Sequence, residues 1–177
     1  MARYKKGFDS AIATARLIKA DKSFRPWVKR IGMIDHSPGW SKSFDVTDAL
    51  ARAILYQQLS GKAAATIVSR VEVAIESSKI HYQALSAASD EQLRGCGVSG
   101  NKVLALRDLA RREAAGEIPQ ARQLQYLSNE QIIEILVPTR GIGRWTVEMM
   151  LMFRLGRNDV LPIDDLGIRK GAQILDG

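Results

Sequence analysis

Two short stretches in the last third of this 177-residue chain carry groups arranged for chemistry. The first is Pro138-Thr-Arg-Gly-Ile-Gly143, between a helical pattern over 130–136 and another that starts near Arg144-Trp145-Thr146. Two glycines separated by one apolar residue permit positive φ and close backbone approach, while Ile142 can pin the turn to a core. A helix opening there begins with spare N–H groups at Gly141, Gly143 and Thr146. With the positive end of the helix dipole, those donors make a ready phosphate site. Such a contact holds a polyanion backbone without reading its sequence. The pattern also suits a plain turn between two helices, because short glycine motifs are weakly specific. The second stretch is Leu161-Pro-Ile-Asp-Asp-Leu-Gly167, where Asp164 and Asp165 stand between an apolar run and a helix that both could cap.

The elements that must position these stretches read as helices almost throughout, and alternating strand patterns are scarce. Asp9 caps a first helix to about residue 20, and Pro26 suits the first turn of a second with Trp27, Val28 and Ile31 on its stripe. His36-Ser-Pro-Gly-Trp40 reads as a loop. Asp45 or Thr47 caps a third helix with Ala49, Leu50, Ala53, Ile54 and Gln57 on one face. Ser60-Gly61 interrupts it, and a fourth helix carries Ala64, Ile67, Val68, Val71 and Ile75. Ser89-Asp-Glu-Gln92 and Ser128-Asn-Glu-Gln131 have capping-box spacing, so each opens a short helix. Ser99 caps a helix carrying Val103, Leu106, Leu109 and Ala110, which ends at Gly116. The expectation is an all-α protein of roughly nine short helices.

Composition narrows the class. A hydrophobic fraction of 46% and a charged fraction of 25% fit a soluble globular protein and argue against wholesale disorder. The length suffices to bury a core without disulfide or metal staples. The lone Cys96 cannot form an internal disulfide, excludes a four-cysteine zinc or iron–sulfur site, and suits a small core residue. His36 and His81 lack metal-ligand spacing and read as surface or loop residues. Apolar runs such as 149–153 are too short to cross a bilayer, and no secretory leader is legible. An intracellular, reduced protein is the expectation. The net charge of +7 suits a polyanionic partner such as nucleic acid, or serves solubility alone.

The combination of Gly141-Ile-Gly-Arg-Trp-Thr-Val-Glu-Met-Met150 with Leu161-Pro-Ile-Asp-Asp-Leu-Gly167 resembles the helix-hairpin-helix–Gly/Pro/Asp superfamily of DNA glycosylases, nearest to its DNA-3-methyladenine glycosylase II branch. Supporting similarity lies in Ala53-Ile-Leu-Tyr-Gln-Gln-Leu-Ser-Gly-Lys-Ala-Ala64 and Gly97-Val-Ser-Gly-Asn-Lys102. The resemblance spans roughly 45–174 and implies a two-lobed helical bundle with a cleft between the lobes. Residues 1–44 would be the N-terminal helical segment of the second lobe, and 45–177 the helix-hairpin-helix glycosylase domain.

Residue by residue, the resemblance implies the following. Gly141, Gly143 and Thr146 bind DNA phosphate through backbone N–H, and the carbonyls of Val137, Thr139 and Gly141 hold a monovalent cation, Na+ or K+. Asp165 is the catalytic carboxylate, stabilising the oxocarbenium-like sugar or orienting water, while Asp164 more naturally caps the next helix. Both aspartates also read as caps alone. Trp145 stands where lyase relatives carry a nucleophilic lysine, so covalent strand cleavage is not expected. Its indole could stack on a cationic alkylated purine or sit in the core beside Met149 and Met152. Gln58, with neighbours Leu59, Ser60 and Gly61, fills the gap left by a flipped nucleotide, or simply joins two helices. Tyr56 lines the base pocket. Lys102, Arg144 and Arg169 contact phosphate or are solvated surface cations.

The activity implied is hydrolysis of the N-glycosidic bond of 3-methyladenine-like bases flipped from duplex DNA. No organic cofactor, no iron–sulfur cluster and no membrane are implied. The protein would be a monomer in the cytoplasm, nucleoid-associated if bacterial. The alternatives are a noncatalytic helix-hairpin-helix DNA-binding module and the same fold acting on another damaged base. The resemblance also implies helical sequence past Gly177, so that 45–177 would be a shortened form or a fragment, exposing apolar surface at Ile168, Ile174 and Leu175.

Overall fold

The computed structural model describes residues 3–4, 7–33 and 43–176, and these contain helices and no strand. In chain order they are α1 (Ser10–Ala20), α2 (Phe24–Ile31), α3 (Val46–Tyr56), α4 (Gly61–Ala74), α5 (Tyr82–Ala87), α6 (Asp90–Gly95), α7 (Gly100–Ala114), α8 (Ala121–Leu124), α9 (Asn129–Leu136), α10 (Arg144–Phe153) and α11 (Leu166–Asp176). The loop expected at 36–40 lies outside the described residues.

Side-chain caps fix most of the starts. Asp9 accepts from the Ile12 N–H ahead of α1, Asp45 from Asp48 ahead of α3, and Ser60 from Ala63 ahead of α4. Ser89 and Ser128 close full capping boxes with Gln92 and Gln131. Ser99 holds the N-cap position of α7 without making a side-chain cap bond. Two short helices escaped the sequence reading. One is α5, capped by His81 through Nδ1, which gives that histidine a structural job. The other is α8, opened by Gln120 in place of the usual small polar residue.

The described chain divides into two compact units. One comprises the described residues of Met1–Arg3 and Ser43–Val147, the other those of Tyr4–Lys42 and Glu148–Gly177. One border falls between residues 42 and 43, and another falls inside α10. In the first unit α3 packs on both α4 and α7, and α5 packs on α7. Having partners on two sides, α3 buries Val46, Ala51 and Leu55 besides the expected Leu50 and Ile54. Each large apolar side chain so buried contributes about 1.5–3 kcal/mol. Gln57, expected on the helix face, lies one residue past its end.

In the second unit the N-terminal segment is tied to the loop after α10. The Gly7 N–H donates to the Gly156 carbonyl at 3.2 Å, and the Tyr4 hydroxyl bonds to Asn158 and Asp159. The Arg157 guanidinium stacks 3.9 Å above the Tyr4 ring, and burial holds its pKa below the usual value. Ile174 is 63% exposed and, with Leu17, Phe24, Trp27 and Ile31, lines an apolar groove of about 530 Å³.

Candidate nucleic-acid interface

The hairpin between α9 and α10 is shaped by local bonds and then bolted to its neighbours. The Thr139 N–H donates to the Leu136 carbonyl and the Ile142 N–H to the Thr139 carbonyl, both at 3.0 Å. Gly141 takes φ +78°, and a Cβ placed there would lie 3.2 Å from the Ala105 Cβ on α7. Conformation and contact thus both demand glycine. Ile142 is buried, as its place between the glycines suggested.

Asp108 on α7 accepts the Arg140 N–H at 2.9 Å and pairs with Arg111 and Arg112, each at 3.1 Å. Burial pushes the Asp108 carboxyl up, but these donors together hold it below its usual range. Arg112 also donates to the Pro138 carbonyl at 3.0 Å. From the other side, the Gln57 side-chain amide donates to the Gly141 carbonyl at 2.7 Å.

Amid this engaged backbone, the N–H groups of Gly141 and Gly143 donate to no acceptor among the described residues, and both glycines are exposed. They form an open pair of donors before α10. Thr146, expected as a third donor, differs: its N–H donates to the Gly143 carbonyl at 3.0 Å and its side chain is buried. It sits far enough into the helix for its donor to be consumed by the first turn.

The three carbonyls expected to hold a cation differ in what they already accept. Gly141's carbonyl already accepts the Gln57 amide and Thr139's accepts the Ile142 N–H, which leaves Val137 as the one carbonyl of the three without a donor among the described residues. Each of these oxygens carries two lone pairs, so one accepted hydrogen bond leaves a second position on it.

The turn joining α3 to α4 presents side chains outward. Tyr56 is 43% and Leu59 40% exposed, and Gln58 is exposed with φ +57°, a left-handed conformation that costs a non-glycine residue about 1–2 kcal/mol. Ser60 serves as the α4 cap, and Gly61, the first residue of α4, is exposed. Lys102, expected at phosphate, is turned inward. Its ammonium donates to the Leu55 carbonyl at 2.8 Å and the Gln57 carbonyl at 2.9 Å. Arg144 is exposed and forms a two-pronged pair with Glu130, the shorter arm at 2.6 Å. Trp145 is 45% exposed, which removes it from the core. Arg169 is exposed on α11.

In the second unit Asp165, not Asp164, caps α11. Its Oδ1 accepts the Ile168 N–H at 3.0 Å, and its own N–H donates to the Pro162 carbonyl at 2.9 Å. A Cβ on Gly167 would lie 3.0 Å from that Oδ1, so the glycine makes room for the carboxylate. Asp164 lies in the preceding turn, exposed. The Asp165 carboxylate is thus oriented by the helix it opens.

Residues that sequence reasoning passed over are Gln57, Asp108 and Arg112. The spacing of Asp108 to Arg111 and Arg112 was a readable helical charge pattern. Its bond to the distant Arg140 backbone was not.

Residues 51–177 match the family model described as HhH-GPD superfamily base excision DNA repair protein. The chain belongs to this family. It is 36% identical over 164 residues to DNA-3-methyladenine glycosylase 1 of Schizosaccharomyces pombe, covering 92% of this chain and 72% of that one. The crystal structure of a DNA-3-methyladenine glycosidase from Bacillus halodurans matches with a TM-score of 0.81 and 31% identity, over 98% of this chain and 77% of the other. The Schizosaccharomyces pombe 3-methyladenine DNA glycosylase Mag1, solved in complex with abasic DNA, matches with a TM-score of 0.78 and 36% identity, over 93% and 80%. No described helix is long and apolar enough to cross a membrane.

Proposed function

We propose that this protein is a monofunctional DNA glycosylase of the 3-methyladenine type II kind, which removes alkylated purines from duplex DNA and acts as a cytoplasmic monomer. The observation that carries this reading is the exposed donor pair of Gly141 and Gly143, kept open while Gln57, Asp108 and Arg112 engage the backbone around it. Similarity to a glycosylase solved on abasic DNA supports the DNA partner.

In this mechanism the glycine N–H groups grip one phosphate and fix the strand without reading bases. A base cannot be attacked inside the stack, so the nucleotide must swing out, and alkylated bases do so at lower cost. Gln58 and Leu59, at the tip of the strained turn, fill the vacated space. The exposed indole of Trp145 and the phenol ring of Tyr56 offer faces to a cationic purine, which a neutral base satisfies less well.

The bond from C1′ to the base nitrogen then breaks, and its electron pair leaves with the base. N-alkylation has already made the base a good leaving group. The Asp165 carboxylate stabilises the positive charge that develops on the sugar, an effect worth roughly 2.7–4 kcal/mol, or a hundred- to thousandfold in rate. Water adds to C1′ and gives up a proton, leaving an abasic site. Tryptophan at 145 cannot form a Schiff base, so the strand stays intact until alkali is added.

Incubation with methylated duplex DNA, followed by chromatography of the released bases, tests this. Free 3-methyladenine is the expected product. Tight, salt-sensitive duplex binding with no released base would identify a noncatalytic DNA-binding module instead.

A further inference from the structure

Lys102 occupies an electrostatically unfavourable place: the first turn of α7, where the positive end of the helix dipole repels a cation. Its ammonium is drawn away from solvent to the opposite kind of helix end, the C-terminus of α3, where the Leu55 and Gln57 carbonyls accept from it at 2.8 and 2.9 Å. Burial lowers its pKa, and the two carbonyls stand where water would otherwise accept from the ammonium. These two carbonyls bracket Tyr56 and stand immediately before Gln58, the residue with φ +57°. The same turn is tied to the hairpin by the Gln57 amide on the Gly141 carbonyl.

We infer that Lys102 is a positioning residue: by clamping the Leu55 and Gln57 carbonyls it locks the Gln57–Ser60 turn in the strained form that presents Gln58 and Leu59, with Gln57 holding that turn in register with the Gly141 phosphate clamp. Two independent ties on one exposed turn explain how a left-handed glutamine persists there. A turn meant to enter a base stack must not yield when it meets resistance, and these ties supply the stiffness. The inference rests on the glycosylase reading for its purpose and on the hydrogen bonds alone for its geometry.

The variant Lys102→Met removes the charge while keeping the stem. In the DNA-free protein, hydrogen exchange at the Gln57 and Leu59 N–H groups should quicken by about tenfold or more, because the local opening is no longer restrained. A lysine touching phosphate would, on removal, reduce the slope of log affinity against log salt by about 0.9, whereas a positioning lysine leaves that slope unchanged. Base release from a fully paired methylated duplex should drop about tenfold or more, with much less loss when the lesion sits in a bulge and extrusion is cheap. Unchanged exchange at Gln57 and Leu59, a lower salt slope, or base release that falls equally on both duplexes or not at all would each overturn the inference. Should Lys102→Met not fold, Gln57→Ala, which cuts the tie to Gly141, is expected to reproduce the faster exchange and the contrast between duplexes, and its failure to do so counts against the inference equally. Absence of base release by the unaltered chain overturns the glycosylase reading and leaves the exchange and salt measurements to decide the role of Lys102.

Discussion

The two hairpin glycines do different jobs, and alanine at each should separate them. At Gly141, φ +78° costs an L-residue about 1–2 kcal/mol. The new Cβ also lies 3.2 Å from the Ala105 Cβ, with Ile54 Cγ1 at 3.8 Å. Ala105 is buried and its Cβ is fixed to the α7 backbone, so relief requires a shift of a whole element; overpacking of this kind costs about 1–3 kcal/mol. Gly141→Ala should therefore lose about 2–4 kcal/mol of stability, a fall in Tm of roughly 5–15 °C for a domain of this size. At Gly143 a Cβ would meet nothing within 4 Å and φ is not positive, so Gly143→Ala should cost less than about 1 kcal/mol. It nevertheless puts a methyl group where phosphate must approach, and duplex affinity should fall about tenfold or more. Urea unfolding and duplex titration at fixed salt read both effects. A Gly141→Ala variant within about 0.5 kcal/mol of the parent, or a Gly143→Ala variant that is the less stable of the two, would refute the packing and clamp assignments.

Further expectations concern the charges. Asp165→Ala should lose about 1 kcal/mol through the missing α11 cap, while Asp165→Asn, a good cap, should stay within about 0.5 kcal/mol on thermal unfolding. Glu130→Gln breaks the exposed pair with Arg144 and should strengthen duplex binding severalfold at low salt, an effect that titration at rising salt would see vanish. Asp108 is held below its usual pKa in the folded state, so its stabilising contribution is present above the unfolded value of about 3.9 and is lost as pH falls through the lower folded value. Urea midpoints measured on the acid side should fall less steeply for Asp108→Asn than for the parent.

Much of this was legible because it is local. Asp9, Asp45, Ser60, Ser89 and Ser128 all cap the helices they precede, and a cap needs only three or four residues to declare itself. The hairpin glycines were legible for the same reason. What sequence hid was long-range. That α3 has partners on two sides, and so buries Ala51 and Leu55, depends on where α4 and α7 lie. Lys102 looked like a surface cation because its partners stand on another helix, and Thr146 looked like a donor because the Gly143 carbonyl that consumes it depends on the turn. Asp164 read as the more natural cap from sequence, but the turn at Pro162 brings Asp165 instead to the Ile168 N–H. His81 and Gln120 cap helices with side chains rarely used for that purpose, which is why α5 and α8 went unread.

The most direct measurement is single-turnover base release from one duplex carrying a single methylated purine, with the parent and Asp165→Asn compared at saturating protein and their affinities measured on the same duplex. The parent should release the base and leave an alkali-labile site, while Asp165→Asn should bind comparably and release it about a hundredfold or more slowly. Equal rates for the two proteins would contradict the assignment of the sugar-stabilising charge to Asp165.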